Sequence, residues 1–341
     1  MRAGSGAAAL LVAIAAMAAG SSALAQTVEQ FYRDRSISMI VGFGPGGGYD
    51  AYTRVLARHI GRHIPGGPRI IVQNMPGGAS LKSVQHLDAA APRDGSVIAA
   101  FNSGLLTESL LNADKIQFNF SSVAWIGSIN RDLRVCYAWI ETGIRDFNEL
   151  KKRKQFNMGA AAQGTASFMN AAVLKNMLGV AVHLVTGYQG SGELRVAIER
   201  RELDGDCGTW SSVPPDWTGN GKVNPLVRFS PMPVPGVAEH VPFVGDLVNS
   251  KADRAVLEML LAPDALGRPY VVSRQVPTDR LAALRAAFDA TMQDRQFLAE
   301  TKKMELPVSN PVSGADAEAI VSAIYNIAPA LVARARSIVA R

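Results

Sequence analysis

The chain alternates short apolar runs with longer segments of helical periodicity. The apolar run at 37–41 leads into a helical pattern over 50–64, the run at 69–73 into 79–90, and the run at 96–101 into 103–111. That rhythm is βαβαβ. A second series reads as strands at 134–139 and 156–160, a helix over 165–178 ending at Gly179, a strand at 180–185, a helix over 191–201 and a strand at 203–210. Each series predicts its own mainly parallel sheet flanked by helices. Residues 211–246 are rich in Pro and Gly, and helices follow near 251–260, 278–304 and 314–340, the last bent at Pro329, with Thr278 and Ser313 as N-caps. The expected architecture is α/β, two-lobed, with a cleft between the lobes. Residues 26–128 and 246–341 are expected in the first lobe and 129–245 in the second.

The N-terminus places the protein. Arg2 gives a positive start, Ala7 to Ala19 is small and apolar, and Ala23-Leu24-Ala25 before Gln26 fits a small-x-small cleavage site. This predicts a Sec-type signal peptide over 1–25, cleavage after Ala25 and a periplasmic product. The formal net charge of +6 favours anionic ligands only weakly. Lys151-Lys152-Arg153-Lys154 closes a helix-like segment, where cations complement the dipole, and no nucleic-acid partner is expected.

The segment "SMIVGFGPGGGYDAYTRVLARHI" joins the first strand to the first helix, and Gly42, Gly44 and Gly47 satisfy G-x-G-x-x-G. A dinucleotide site also needs an acid about 20 residues later, to take the ribose hydroxyls. None occurs between Ala51 and Met75, and no Walker lysine follows the glycines. What remains is a set of free N–H groups at a helix N-terminus, suited to a small anion such as a carboxylate. "GAAAQGTASFMNAAVL" and "TGYQGSGEL" repeat the strand–turn–helix geometry in the second series. Neither glycine loop contains Lys or Arg, so main-chain groups are expected to neutralise the anion.

Taken together, "VGFGPGGGYD", "VQNMPGGAS", "PRDGSVIAA", "AQGTAS", "GYQGSGELRVAIERRELDG" and "QVPTDRLAALRAAF" resemble the extracytoplasmic solute receptors of tripartite tricarboxylate transporters, the Bug family. The resemblance covers nearly the whole chain after residue 25, in matching order. It implies a periplasmic binding protein, acting as a monomer, that delivers a carboxylate to a permease with one large and one small membrane subunit. It carries ligand contacts onto Phe43, Gly46, Gly47, Gly48 and Tyr49 in one loop and onto Gln163, Gly164, Thr165 and Ser167 in the other. Asn102, Ser103, Tyr188 and Gln189 are expected beside them, and Asp204 falls where many members have an acid. Tyr49 stands where members usually carry smaller or hydroxyl residues, and "NMPGGAS" replaces the more usual "NRPGAGG".

Other residues have plainer readings. Asp50 sits where an acid complements a helix N-terminus, and Arg54, Arg58 and Arg62 mark an exposed helix face. Tyr188 and Trp210 fit either a pocket or the core. His59 and His63 have metal spacing without a third ligand, so no metal and no cofactor are expected. His183 reads as a strand residue, and no serine sits in G-x-S-x-G or begins S-x-x-K, so an exported enzyme is the weaker alternative. A periplasmic sensor that presents its ligand to a membrane kinase would use the same clamp. Cys136 and Cys207, in the first and last strands of the second series, are expected to form a disulfide in an oxidising compartment if those strands are neighbours.

Overall fold

The computed structural model describes residues 26–339; the expected signal peptide lies outside them. Among the described residues eleven strands form two sheets: β1 (Ser36–Val41), β2 (Arg69–Asn74), β3 (Val97–Ala100), β4 (Val123–Ser128), β5 (Arg134–Trp139), β6 (Phe156–Ala160), β7 (Val182–Thr186), β8 (Gly205–Thr209), β9 (Val223–Arg228), β10 (Pro269–Ser273) and β11 (Val312–Ser313). The first sheet has the order β11-β4-β10-β3-β1-β2 and the second β7-β6-β8-β5-β9. Both are mixed rather than mainly parallel. β1 pairs in parallel with β2 and β3, and β6 with β7 and β8, as the helical crossovers dictate. β4, β10 and β11 in one sheet, and β5 and β9 in the other, join antiparallel.

The antiparallel strands follow from how the chain crosses between sheets. β4 leaves the first sheet toward the cleft and β5 enters the second running away from it; β9 and β10 reverse that path. The two crossings are stitched together: Ile129 N–H donates to Arg268 O (3.2 Å), Gly267 N–H to Asn130 O (2.8 Å) and Asp132 N–H to Asp264 O (2.7 Å). Beside them Arg134, only 1% exposed, lies between Asp132 (3.0 Å) and Asp264 (2.5 Å).

The Gly48–Ile60 helix buries Tyr52, Val55, Leu56 and Ile60, one face at helical spacing, and passes into a 3₁₀ turn. The expected 278–304 helix is two helices, Thr278–Met292 and Arg295–Lys303, because the Asp294 side chain accepts from Gln296 N–H (2.7 Å) and Phe297 N–H (3.3 Å) and caps the second. Thr278 is the first residue of its helix rather than the cap, which is Pro277, whereas Ser313 caps the next by accepting from Asp316 N–H. The helices Gly314–Tyr325 and Pro329–Val339 bend by 84°. Among the described residues no single helix is long and apolar enough to cross a membrane.

The C-terminal third divides between the sheets. Leu284 and Phe288 of one helix and Phe297 of the next pack with Met39, Ile98 and Ile126 of the first sheet. Val256, Leu257 and Leu260, with Ala335 and Ile338, pack instead with Phe156 and Met158 of the second and with Leu174 of the Ala166–Asn176 helix. Residues 246–341 were expected wholly with the first lobe, but the apolar faces of the Lys251–Leu261 and Pro329–Val339 helices cover the second sheet.

Cys136 lies directly opposite Cys207 on β5 and β8, and the two sulfurs are joined. With a sequence separation of 71, loop closure makes this bond worth about 4 kcal/mol. Titration of the unfolded, unreduced protein is expected to find no free thiol, and reduction to lower the urea midpoint. Arg134→Met strands Asp132 and Asp264 without their shared cation and is expected to cost about 3–5 kcal/mol in urea unfolding; a loss below about 1 kcal/mol would mean that the crossing does not depend on this cation.

Candidate functional site

Three helices point their N-termini at one cavity between the sheets. Gly48 and Tyr49 open the Gly48–Ile60 helix, Ala166 and Ser167 the Ala166–Asn176 helix, and Ser191 the Ser191–Glu199 helix. All five line a cavity of about 70 Å³, room for roughly five waters. Each helix end carries the equivalent of about half a positive charge. Among the described residues the N–H groups of Gly47, Tyr49, Ala166 and Ser167 have no protein partner, so they are available to an anion.

The first glycine turn is held by its acid. Asp50, 4% exposed, accepts from Gly46 N–H (3.0 Å), from Arg54 Nε (2.9 and 3.0 Å) and from Asn74 Nδ2 (2.9 Å). Burial pushes its carboxyl up, but the bonds from Arg54, Gly46 and Asn74 outweigh that and hold it below its ordinary value. Gly46 adopts φ +80°, which favours glycine, and its N–H is consumed by Asp50. Gly48 has no room for a side chain, since a Cβ would collide with Ser212 and come within 3.0 Å of Arg268 Nη2.

The second sheet supplies the facing loop. Gly164 (φ +82°) turns its carbonyl to Asn102 Nδ2 (2.7 Å), and the Thr165 hydroxyl donates to Ala162 O (2.7 Å). The loops also touch directly. Gly44 N–H donates to Gln189 O (2.9 Å), Gly48 N–H to Ser191 Oγ (3.4 Å), Arg268 Nη2 to Ser212 Oγ (3.2 Å), and Arg195 donates to Ser212 O (3.0 Å) and to Gly46 O. The two sheets are closed on each other.

Of the expected contacts, Phe43, Gly47, Gly48, Tyr49, Asn102, Thr165 and Ser167 line the cavity. The others do not. Gly46 and Gly164 face it only through the turns they shape, and Ser103 is fully buried behind the wall. Gln163 is exposed on the rim, while Tyr188 and Gln189 line a separate recess beside Gly42 and Gly77, because the Gly187 turn carries them past the cleft. Asp204 is at the opposite end of β8, where it accepts from Asn157 N–H (2.7 Å). The lining residues missed include uncharged ones, such as Tyr137, Ser191 and Ser212, and three charged ones. Arg195 brings a cation to the wall, contrary to the expectation of main-chain groups alone, and Asp132 and Asp206 bring acids. Arg195 reads in sequence as a solvated helix residue; the signal for Asp206 was an acid within the small-residue strand "GDCGT".

The remaining surface candidates are structural. His59 bonds Glu300 (2.6 Å) and His63 bonds Asp294 (2.7 Å), next to ion pairs Arg58–Glu300 and Arg62–Asp294. The basic face is thus a clasp to the Arg295–Lys303 helix rather than a free surface. Among the described residues no group of three His, Cys, Asp or Glu is placed to hold a metal.

Asp206 is 6% exposed; burial pushes its carboxyl up to about 6, against bonds from Ser167 and the Cys207 N–H (2.7 Å). Because this folded value lies above the unfolded 3.8, the group favours the fold fully below about pH 4 and loses that contribution as pH rises through about 6, a change of about 3 kcal/mol. In ligand-free protein, the stability of Asp206→Asn relative to wild type is expected to rise between pH 4 and pH 7 by up to about that amount in urea unfolding. A pH-independent difference would show that Asp206 is not desolvated.

No protein-family model matches the chain. It is 25% identical over 199 residues (57% of this chain, 59% of that protein) to a UPF0065 protein of Bordetella pertussis. It is 28% identical over 193 residues (53% and 54%) to a UPF0065 protein of the tcbD-tcbE intergenic region of a Pseudomonas species. The chain thus spans little more than half the length of the curated relatives it matches. Its fold matches the periplasmic binding protein BugD with a TM-score of 0.71 at 18% identity, over 90% of this chain and 98% of that one. It also matches MatC from Rhodopseudomonas palustris with bound malate (0.67, 17%, 90% and 99%) and an R. palustris protein with adipate (0.69, 16%, 89% and 96%). The chain is a relative of the UPF0065 proteins and shares the fold of BugD.

Proposed function

We propose that the protein is a periplasmic receptor that closes over a small carboxylate and delivers it to a tripartite-type membrane permease. The observation that carries this reading is the convergence of three helix N-termini on one cavity between the sheets. Fixed dipoles neutralise an anion at any pH without reorganising, and Arg195 adds a cation that also ties the loops together. The ligand carboxylate lies against the N–H groups of Gly47 and Tyr49 on one side and those of Ala166 and Ser167 on the other, with Asn102 and Thr165 shaping the walls. Malate and adipate in the similarly folded proteins are carboxylates, which supports the ligand class. The strand crossings at 129–133 and 229–268 act as the hinge. The receptor works as a monomer and presents its closed form to the large and small permease subunits, without a catalytic step.

A thermal-shift screen tests this. A carboxylate at 100 times its Kd stabilises the fold by roughly 2.7 kcal/mol, a measurable rise in Tm. Gly47→Asp is expected to abolish the shift, because a Cβ there already meets Ser191 Oγ at 2.9 Å and the new carboxylate repels the ligand. Lys175→Ala, on the exposed surface, is expected to keep it. Stabilisation by sugars or nucleotides in place of carboxylates, or a Gly47→Asp variant that responds normally, would refute the reading.

A further inference from the structure

The carboxylate reading leaves one wall residue unexplained. Three acids buried to 4% exposure or less, Asp50, Glu108 and Asp132, and Asp206 at 6%, are the buried carboxylates of the described residues. Asp50 is paired with Arg54 and Asp132 with Arg134, and Glu108, away from the cavity, bonds Asn112. Asp206 alone lines the cavity with no Lys or Arg paired to it among the described residues. Its Oδ1 accepts from Cys207 N–H, and Ser167 donates to the same carboxylate. Oδ2 lies over Gly208, where a Cβ would approach within 2.7 Å of it, and Gly208 itself lines the cavity. A carboxylate desolvated at a binding wall and left without a counter-charge is costly, and a cationic donor removes that cost.

The opposite charge is also present. Arg195 lines the same cavity without a carboxylate partner among the described residues, donating only to the carbonyls of Ser212 and Gly46. The Tyr137 phenol, on the wall between them, feels both Asp206 and Arg195. The cavity wall therefore carries both signs of charge: Arg195 and the helix N-termini are cationic, and Asp206, beside Ser167 at one of those helix ends, is anionic.

We propose that the ligand is an amino-carboxylate, its ammonium seated against Asp206 and its carboxylate on Arg195 and the helix N-termini. This rests on the carboxylate reading above and narrows it. A plain dicarboxylate would set its second anion against the unpaired Asp206, whereas an ammonium makes a charge-assisted hydrogen bond there.

The test is calorimetric titration at neutral pH of ligand-stripped protein with pairs that differ only in hydroxyl against ammonium: lactate with alanine, and malate with aspartate. In the wild type the ammonium member of at least one pair is expected to bind about tenfold tighter or more. Asp206→Asn is expected to bring the two members within about twofold while leaving the hydroxy-acid affinity unchanged or improved. Hydroxy acids that bind as well as their amino partners overturn the proposal while leaving the carboxylate receptor standing, and this comparison needs no variant. A preference that persists in a folded Asp206→Asn protein also overturns it. Wild-type protein that binds neither member of either pair, and no other carboxylate, sinks the parent reading along with it.

Discussion

The structure depends on the double crossing of the chain between its sheets. One strand must leave each sheet toward the cleft and one must return, and the antiparallel pairs β4–β10 and β5–β9 are the consequence. With the crossings bonded to each other and Arg134 held between Asp132 and Asp264, the parallel strands of both sheets are left with their carboxyl ends facing. The loops that follow β1, β3, β6, β7 and β8 each bring residues to the same space, and helix N-termini arrive there together. A buried cation between two acids adds little net stability, but it fixes where the chain crosses, since loss of the cation strands both acids.

The site inherits two kinds of charge from this arrangement. The helix ends contribute positive potential that no pH change removes, and their N–H groups are kept open because Asp50 satisfies the turn from behind. Arg195 and Asp206, by contrast, are discrete charges on the lining of the same cavity, both supplied by the second sheet and its helix. Arg195 meets its hydrogen-bonding needs with carbonyls from both sheets, so the same side chain contributes potential and closure. Asp206 carries a desolvation cost in the empty fold. A ligand that supplies a cation there recovers that cost, which ties the stability of the unliganded protein to its choice of ligand.

The basic stripe from Arg54 to His63 shows how one sequence pattern serves different ends in a fold. Its four-residue spacing describes a helix face and its two histidines could suggest a metal. The Asp294 cap, which breaks the late helix, presents that acid and Glu300 to the stripe, and the face becomes a joint between elements far apart in sequence.

By itself the sequence determined what short-range physics controls. The first series of strands and helices, the cap at Ser313, the glycine turns and their helix N-termini were legible, because periodicity, glycine and capping chemistry act over a few residues. The individual contacts on those turns came from the family resemblance, and of them Phe43, Gly47, Gly48, Tyr49, Thr165 and Ser167 line the cavity. Only the tertiary structure decided the rest. Buried strands β4 and β10 show no alternation, and their direction comes from the crossing. Tyr188 and Gln189 share a loop with Ser191, yet a positive φ at Gly187 sends them elsewhere. Asp204 lies just before β8 and Asp206 within it, and only the place of the cleft relative to β8 makes the second a wall residue and the first a support. Arg195 reads as solvated until the second sheet closes on Gly46, because the carbonyls that hold it come from parts of the chain that meet only in the folded protein.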